Sequence, residues 1–267
     1  MNGKKGKDKN KTILLKLYKA TRVENKWDNI VELPFNSNDY SVAHPALSPD
    51  EKTLYFASNM PGCIGGEQSD IFKVTINDDG SYGIPENLGS QINTEGKETF
   101  PFVANDNQLY FSSDGRPGLG GLDIFVTKIN EDGTFEDIQN VGQPVNSKQD
   151  DFAFNIDSKN RNGFFSSNRV NGHGLDDVYR FTENRRLICE QQISGTITDQ
   201  ETNEKLSNVA LILFDETGKT AIEAKSDASG NYVFSNVRCG KKYYIKTSKE
   251  DYLFKEVSIT LKKATGS

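Results

Sequence analysis

Histidine, methionine and tryptophan are almost missing from this chain, at two, two and one in 267 residues. The two histidines, His44 and His173, belong to no His/Cys/carboxylate cluster with metal-ligand spacing. There is no Gly-x-Ser-x-Gly elbow to present a hydrolase nucleophile. Cysteine is limited to Cys63, Cys189 and Cys239, without Cys-x-x-Cys spacing, so zinc is not indicated. No run approaches the roughly 18 apolar residues of a transmembrane helix, and the N-terminus lacks the apolar stretch of a signal peptide. A net charge of −6 weighs against nucleic acid as a partner. The basic run Lys4–Lys11 reads as a short solvated loop. These absences predict a chain with no catalytic residues, no cofactor and no metal.

What is plentiful is Tyr, Phe, Gly, Asn and Asp, which suits short strands and tight turns. They recur in order. Leu54-Tyr55-Phe56-Ala57-Ser58-Asn59 returns as Leu109-Tyr110-Phe111-Ser112-Ser113-Asp114 and as Gly163-Phe164-Phe165-Ser166-Ser167-Asn168. A Gly-rich loop follows each copy, then Asp70-Ile71-Phe72, Asp123-Ile124-Phe125 or Asp177-Val178-Tyr179. Asn87-Leu88-Gly89-Ser90-Gln91-Ile92-Asn93 returns as Asn140-Val141-Gly142-Gln143-Pro144-Val145-Asn146. The repeat is about 54 residues, and each copy divides into four strands near Pro45–Leu47, Thr53–Ser58, Asp70–Ile76 and Tyr82–Leu88. Four short antiparallel strands at this period predict β-propeller blades, with the aromatic residues mostly as core between neighbours.

The register places the start of the chain inside a blade. Ile13–Tyr18 matches a third strand, Trp27–Leu33 a fourth, and Asn36-Ser37 matches Asn93-Thr94. The copy beginning near Asp151 has three strands and stops at Phe181. The expectation is therefore a partial β-propeller over residues 1–186, with upstream sequence missing. From residue 187 the texture changes to short strands with close turns, predicting a small β-sandwich over residues 187–267. Cys189 and Cys239 lie at strand edges there, and their pairing would staple the domain's start to a later hairpin. The fold class expected is all-β.

The pattern Ser48–Asn59, a Gly-Gly loop and Asp-Ile-Phe resembles WD-like propeller repeats of bacterial envelope proteins. The segment from Ile193, with Gly195, Asp199, Asp227, Gly230 and Tyr232, resembles a carboxypeptidase regulatory-like domain, which in its family carries no catalytic residues. The two in this order resemble the middle of OmpA-family proteins of Bacteroidetes, some of them in type IX secretion and gliding machinery. The resemblance implies a periplasmic, outer-membrane-associated scaffold whose partners are other envelope proteins. Peptidoglycan would be reached only through an OmpA-like domain outside this chain. Glycan or peptide binding by the propeller is the alternative, and accessory domains of an envelope hydrolase a third reading.

Partner contacts are expected in the loops, where sequence varies while the scaffold stays fixed. Arg116, Arg161, Arg169 and His173 lie in such loops. Glu98, Asp150 and Asp151 precede first strands, near the expected channel mouth, as candidates for contact or cation coordination. The Gly115–Gly121 loop leads into a strand and not a helix, so it does not read as a phosphate site. Ser112, Ser113, Asp114 and Asp123 are expected to bind backbone within their own blade.

Overall fold

The computed structural model describes residues 6–7, 13–218, 220–253 and 255–262, which fall in two compact units, Met1–Asn184 and Arg185–Ser267. Apart from Gly6 and Lys7, the basic run Lys4–Lys11 lies outside the described residues, as do Met1-Asn2-Gly3 and residues 263–267. Among the described residues every element is a β-strand, and the sheets are antiparallel.

Three sheets of the first unit repeat one plan. The first sheet runs Val42–Leu47, Thr53–Ser58, Asp70–Thr75, Glu86–Asn87. The second runs Glu98–Val103, Gln108–Ser113, Asp123–Lys128, Gln139–Asn140. The third has Asp151–Ile156, Asn162–Ser167 and Asp177–Thr182. In the first two sheets the two middle strands are buried almost throughout, on both faces, whereas in the third they alternate between more buried and more exposed positions. Phe56 stands opposite Phe72, Phe111 opposite Phe125 and Phe165 opposite Tyr179, so the register repeats as well as the sequence. Tyr55, Ile71, Leu88 and Ile92 of the first sheet pack against Val103, Leu109, Phe111 and Phe125 of the second. Tyr110 then stacks on Phe154 of the third, with ring centres 4.5 Å apart.

Each first strand carries a bulge where its pairing shifts: between Ala43 and Ala46, opposite Tyr110–Ser112, and between Phe152 and Asn155. The extra residue is in the left-handed region each time: His44 (φ 52°), Phe100 (φ 49°) and Ala153 (φ 54°). Side chains rarely adopt that conformation, and a bulge is what re-aims them.

At the N-terminus the structure corrects the expected register. The paired strands are Tyr18–Val23 and Lys26–Glu32, while Ile13–Leu14 pairs with Gly6–Lys7. The reason is an asparagine. Asn36 accepts from the Leu17 amide at 2.9 Å and donates to the Leu17 carbonyl at 2.7 Å. Asn93 does the same to Ile71 (2.8 and 3.0 Å), and Asn146 to Ile124 (2.9 and 2.9 Å). Leu17, not Leu14, therefore stands where Ile71 stands. This hairpin closes over the first sheet through Leu17, Leu33 and Phe35, which meet Val42, Leu54, Phe56, Met60, Phe72 and Val74.

In the second unit, Glu190–Thr196 pairs with Asn231–Arg238. A four-stranded sheet has the order Thr220–Lys225, Ala210–Asp215, Lys242–Ser248, Lys255–Thr260. Ile193, Phe234 and Val237 of the pair share one core with Leu211, Leu213, Tyr243 and Ile245 of the larger sheet. Gly195 leaves room for the Tyr232 ring, and Gly230 takes a positive φ of 73° in the turn that Asp227 anchors through the Ser229 and Asn231 amides. Cys189 and Cys239 form a disulfide, 5.4 Å between α-carbons and 50 residues apart. Cross-linking a loop of that length contributes about 2–4 kcal/mol, useful to a core this small.

The paired asparagine is the feature most open to test. Replacing Asn93 with Ala strands the buried Ile71 amide and leaves its carbonyl with the Leu88 amide alone. The expected loss is about 2–4 kcal/mol of stability in the first unit, read as a lower denaturation midpoint at unchanged slope.

Candidate functional site

Where the charged side chains go decides what the first unit can do. Glu98 is fully buried. Its Oε1 accepts from Ser113 Oγ at 2.5 Å and Thr94 Oγ1 at 2.7 Å, and its Oε2 from the Thr94 amide at 2.8 Å. Asp151, also fully buried, takes the same position in the third sheet and accepts from the Ser147 amide and Arg169, both at 2.5 Å. Both carboxylates point inward, so neither is offered at a surface. Asp150 accepts from the Leu122 amide at 2.9 Å and from Asn168 Nδ2 at 3.1 Å, tying the second sheet's loop to the third sheet.

The arginines are spent in the same way. Arg116 donates to the Gln91 and Ile92 carbonyls at 2.5 and 2.9 Å and lies over the Phe111 ring. Arg169 repeats this one junction later. It donates to Pro144 O at 3.1 Å and Val145 O at 2.6 Å, and lies over Phe165 and Tyr179. Arg161 sits in the turn between first and second strands at φ 62°, ion-paired with Glu183 and 3.7 Å from Asp106. These three guanidiniums bridge backbone and carboxylate groups within the unit. Of the seven loop and rim residues singled out from the sequence, only His173 is exposed. Its amide donates to Asp177 Oδ2 at 2.9 Å.

A pattern inside the chain explains these pairings. The position of Glu98 and Asp151 is Val42 in the first sheet, opposite Ser58 as they are opposite Ser113 and Ser167. The arginine near Glu98 or Asp151 is replaced there by Met60, whose amide donates to Ser58 Oγ as that of Arg169 does to Ser167 Oγ. Acid and base appear together, or both are exchanged for apolar side chains. The copies carry this signal at Val42, Glu98 and Asp151 and at Met60, Arg116 and Arg169, which lie two, three and two residues after the serine, the second copy having Gly115 inserted before its arginine. It was missed because the arginines were read as loop residues.

The Gly-rich loops are each held by the aspartate that follows them, as expected for Asp123. Asp70 accepts from the Ile64 amide, Asp123 from Leu119 and Gly120, and Asp177 from His173 and Gly174. A β-carbon on Gly118 would overlap the Asp123 carboxylate, so the loop needs glycine to close over it. Cys63 donates to the Ser58 and Met60 carbonyls. Burial, helped by the charge of Asp70, pushes its thiol up to about 11, which keeps it protonated at neutral pH.

One row of side chains remains on the first strands. His44 stacks on Phe100 with centres 3.8 Å apart, and Phe100 lies 5.0 Å from Phe152. All three are half-buried. His44 Nδ1 lies 2.7 Å from Thr99 Oγ1. Burial, reinforced by Lys97, lowers the imidazole to about 4, so the ring is neutral at pH 7. An open cleft of about 600 Å³ lies between the first two sheets, lined by residues that include Asp50, Tyr55, Lys73, Asn105 and Asn130. Among the described residues no group of three or more His, Cys, Asp or Glu is placed to hold a metal ion, and no helix is long and apolar enough to cross a membrane.

Residues 192–267 match the family model of the carboxypeptidase regulatory-like domain. No curated protein matches the chain. Among solved structures it is similar to a puromycin-hydrolysing peptidase of Mycobacterium tuberculosis, at 15% identity and a TM-score of 0.33, over 73% of this chain and 35% of that one. It is also similar to a putative TolB from Agrobacterium tumefaciens, at 12% identity and a TM-score of 0.30, over 86% of this chain and 77% of that one. The chain thus spans about a third of the peptidase's length.

Two outcomes follow from the geometry. Arg169→Ala leaves the Asp151 carboxylate buried beside a single amide donor, and should cost about 3–5 kcal/mol in the first unit. Adding Asp151→Asn should recover part of that loss in a double-mutant cycle. His44 binds its proton more weakly folded than unfolded, so its contribution is whole above the ordinary histidine range and falls away as pH drops from about 6.5 toward 4. The stability slope across that window should flatten in His44→Phe, which installs the ring that Phe100 carries at the same bulge position of the second sheet, where the third has Ala153.

Proposed function

We propose that this chain is a non-catalytic protein-interaction module of the cell envelope. In this reading the repeat sheets are blades of a β-propeller and the second unit is a sandwich spacer. The observation that carries it is the fate of the polar side chains. Glu98, Asp151, Arg116, Arg161 and Arg169 are committed to joining one sheet to the next or to holding turns, and the histidine that could serve as a base is neutral and stacked. What differs between the copies is the loops, and a fixed scaffold with variable loops suits recognition of a macromolecular surface.

Several features support the envelope setting. The Cys189–Cys239 disulfide fits an oxidising compartment such as the periplasm. Propeller-type repeats followed by a regulatory-like domain have the order found in the middle of OmpA-family, peptidoglycan-associated outer-membrane proteins, including those of type IX secretion. Partners in this reading are other envelope proteins, with peptidoglycan held by a domain beyond this chain. A second reading is favoured by the His44–Phe100–Phe152 row, because half-buried stacked rings are a surface on which a sugar or a peptide side chain can lie.

Immobilised whole chain, exposed to envelope extract beside a glycan and muropeptide array, separates the two. The interaction module predicts saturable retention of specific proteins that rebind when purified. Retention of a soluble glycan, lost in Phe100→Ala and with no protein partner, would replace it with the second reading.

A further inference from the structure

The third sheet differs from the other two at one edge. In the first sheet the outward-facing backbone of Ile71 is fully used: its carbonyl accepts from the Leu88 amide at 3.1 Å, and Asn93 pairs with its amide and carbonyl. In the second, Ile124 is used identically by Val141 and Asn146. Val178 occupies this place in the third sheet, opposite Ser166 as Ile71 is opposite Ala57. Its strand is the sheet's edge, with no fourth strand beside it among the described residues. Ile71 and Ile124 are 0% exposed, whereas Val178 is 72% exposed. On the second strand, Tyr55 and Tyr110 are buried, whereas Phe164 is 46% exposed.

We propose that this edge docks an extended segment of a partner protein bearing the pattern Asn-aliphatic-Gly-x-x-aliphatic-Asn. The chain itself shows twice what such an edge takes, in Asn87–Asn93 and Asn140–Asn146. The first asparagine of the pattern turns the segment: Asn87 Oδ1 accepts from the Gly89 amide and from Asn93 Nδ2, as Asn140 does from Gly142 and Asn146. The glycine supplies the positive φ of 76° seen at both Gly89 and Gly142. The second asparagine pairs with the edge residue, and the two aliphatic side chains, Leu88 and Ile92, extend the apolar face of Tyr55 and Ile71. At Val178 the same donor, the same acceptor and an uncovered apolar pair, Val178 and Phe164, meet these requirements. Adding a strand to an open edge is an established mode of peptide recognition, in which main-chain bonds hold the segment and side-chain pockets select it. The proposal rests on the interaction-module reading and gives it a site.

The test is titration of the whole chain with a synthetic peptide reproducing residues 86–94. Saturable binding is expected, weakened about tenfold or more by Asn93→Ala in the peptide, which removes two hydrogen bonds. Val178→Pro in the chain removes the outward amide that Asn93 of the peptide would meet, a change that edges tolerate. It should abolish binding while the circular dichroism spectrum is retained. Val178→Arg, which keeps the backbone amide but not the apolar surface, should weaken it. No saturation at millimolar peptide, equal binding of a scrambled or Asn93→Ala peptide, or undiminished binding to Val178→Pro would each overturn the proposal. So would an inert peptide alongside self-association that Val178→Pro abolishes, because the edge would then belong to a second copy. An envelope protein that binds wild type and Val178→Pro alike would refute this edge and leave the interaction module standing.

Discussion

A side-chain amide carries the same donor and acceptor as a peptide group, so an asparagine laid against a strand can satisfy both backbone groups of one residue. Asn36, Asn93 and Asn146 do this for Leu17, Ile71 and Ile124. The fourth strands of the two complete sheets are only two residues long, Glu86–Asn87 and Gln139–Asn140, too short to cover a six-residue neighbour. The asparagine finishes that edge. It thereby permits the chain to turn away early, pass to the next sheet and bury Ile92 with Leu109 and Phe111. Both the order of the sheets and the packing between them depend on this substitution of a side chain for a strand.

Much of this was legible in the sequence. The spacing of Phe56, Phe111 and Phe165, at 55 and 54 residues, located the middle strands, and the Asp-aliphatic-aromatic steps located the third. Each of these elements repeats the same run of aromatic and aliphatic residues, so the repetition marks it even in the third copy, where Phe164 and Val178 are exposed. The N-terminal register is not legible, because the strand there is set by the reach of Asn36 to Leu17 and not by the local run Ile13-Leu14-Leu15. Long-range hydrogen bonds of one side chain leave no local pattern. The same holds for Arg116 and Arg169. Each sits in a loop by sequence, and each folds back over an aromatic ring onto carbonyls about 25 residues earlier. The cysteine pair was legible, because both residues flank strands of one small domain.

The bulges show how a repeat can hold strain in common. His44, Phe100 and Ala153 share one unfavourable backbone region. Such conformations persist only where the surroundings over-determine them. Here the surroundings are the flanking ladder and, for the first two, the stacking of the rings on each other. The geometry is therefore a property of the sheet plan and not of the particular side chain, which explains how an imidazole, a benzene ring and a methyl group can occupy the same place.

The exchange of Val42 and Met60 for acid and base has a consequence for how the unit responds to its surroundings. At its first junction apolar side chains stand at the Val42 and Met60 positions, while the later two add charged groups to an apolar core. Apolar burial weakens on cooling and is strengthened by excluded solutes, whereas ion pairs lose their desolvation penalty as temperature rises. The seams of this stack therefore obey different thermometers. The apolar part of every seam weakens in the cold, while the Arg169–Asp151 pair adds to the seam near residue 151 a part whose desolvation cost falls with warmth.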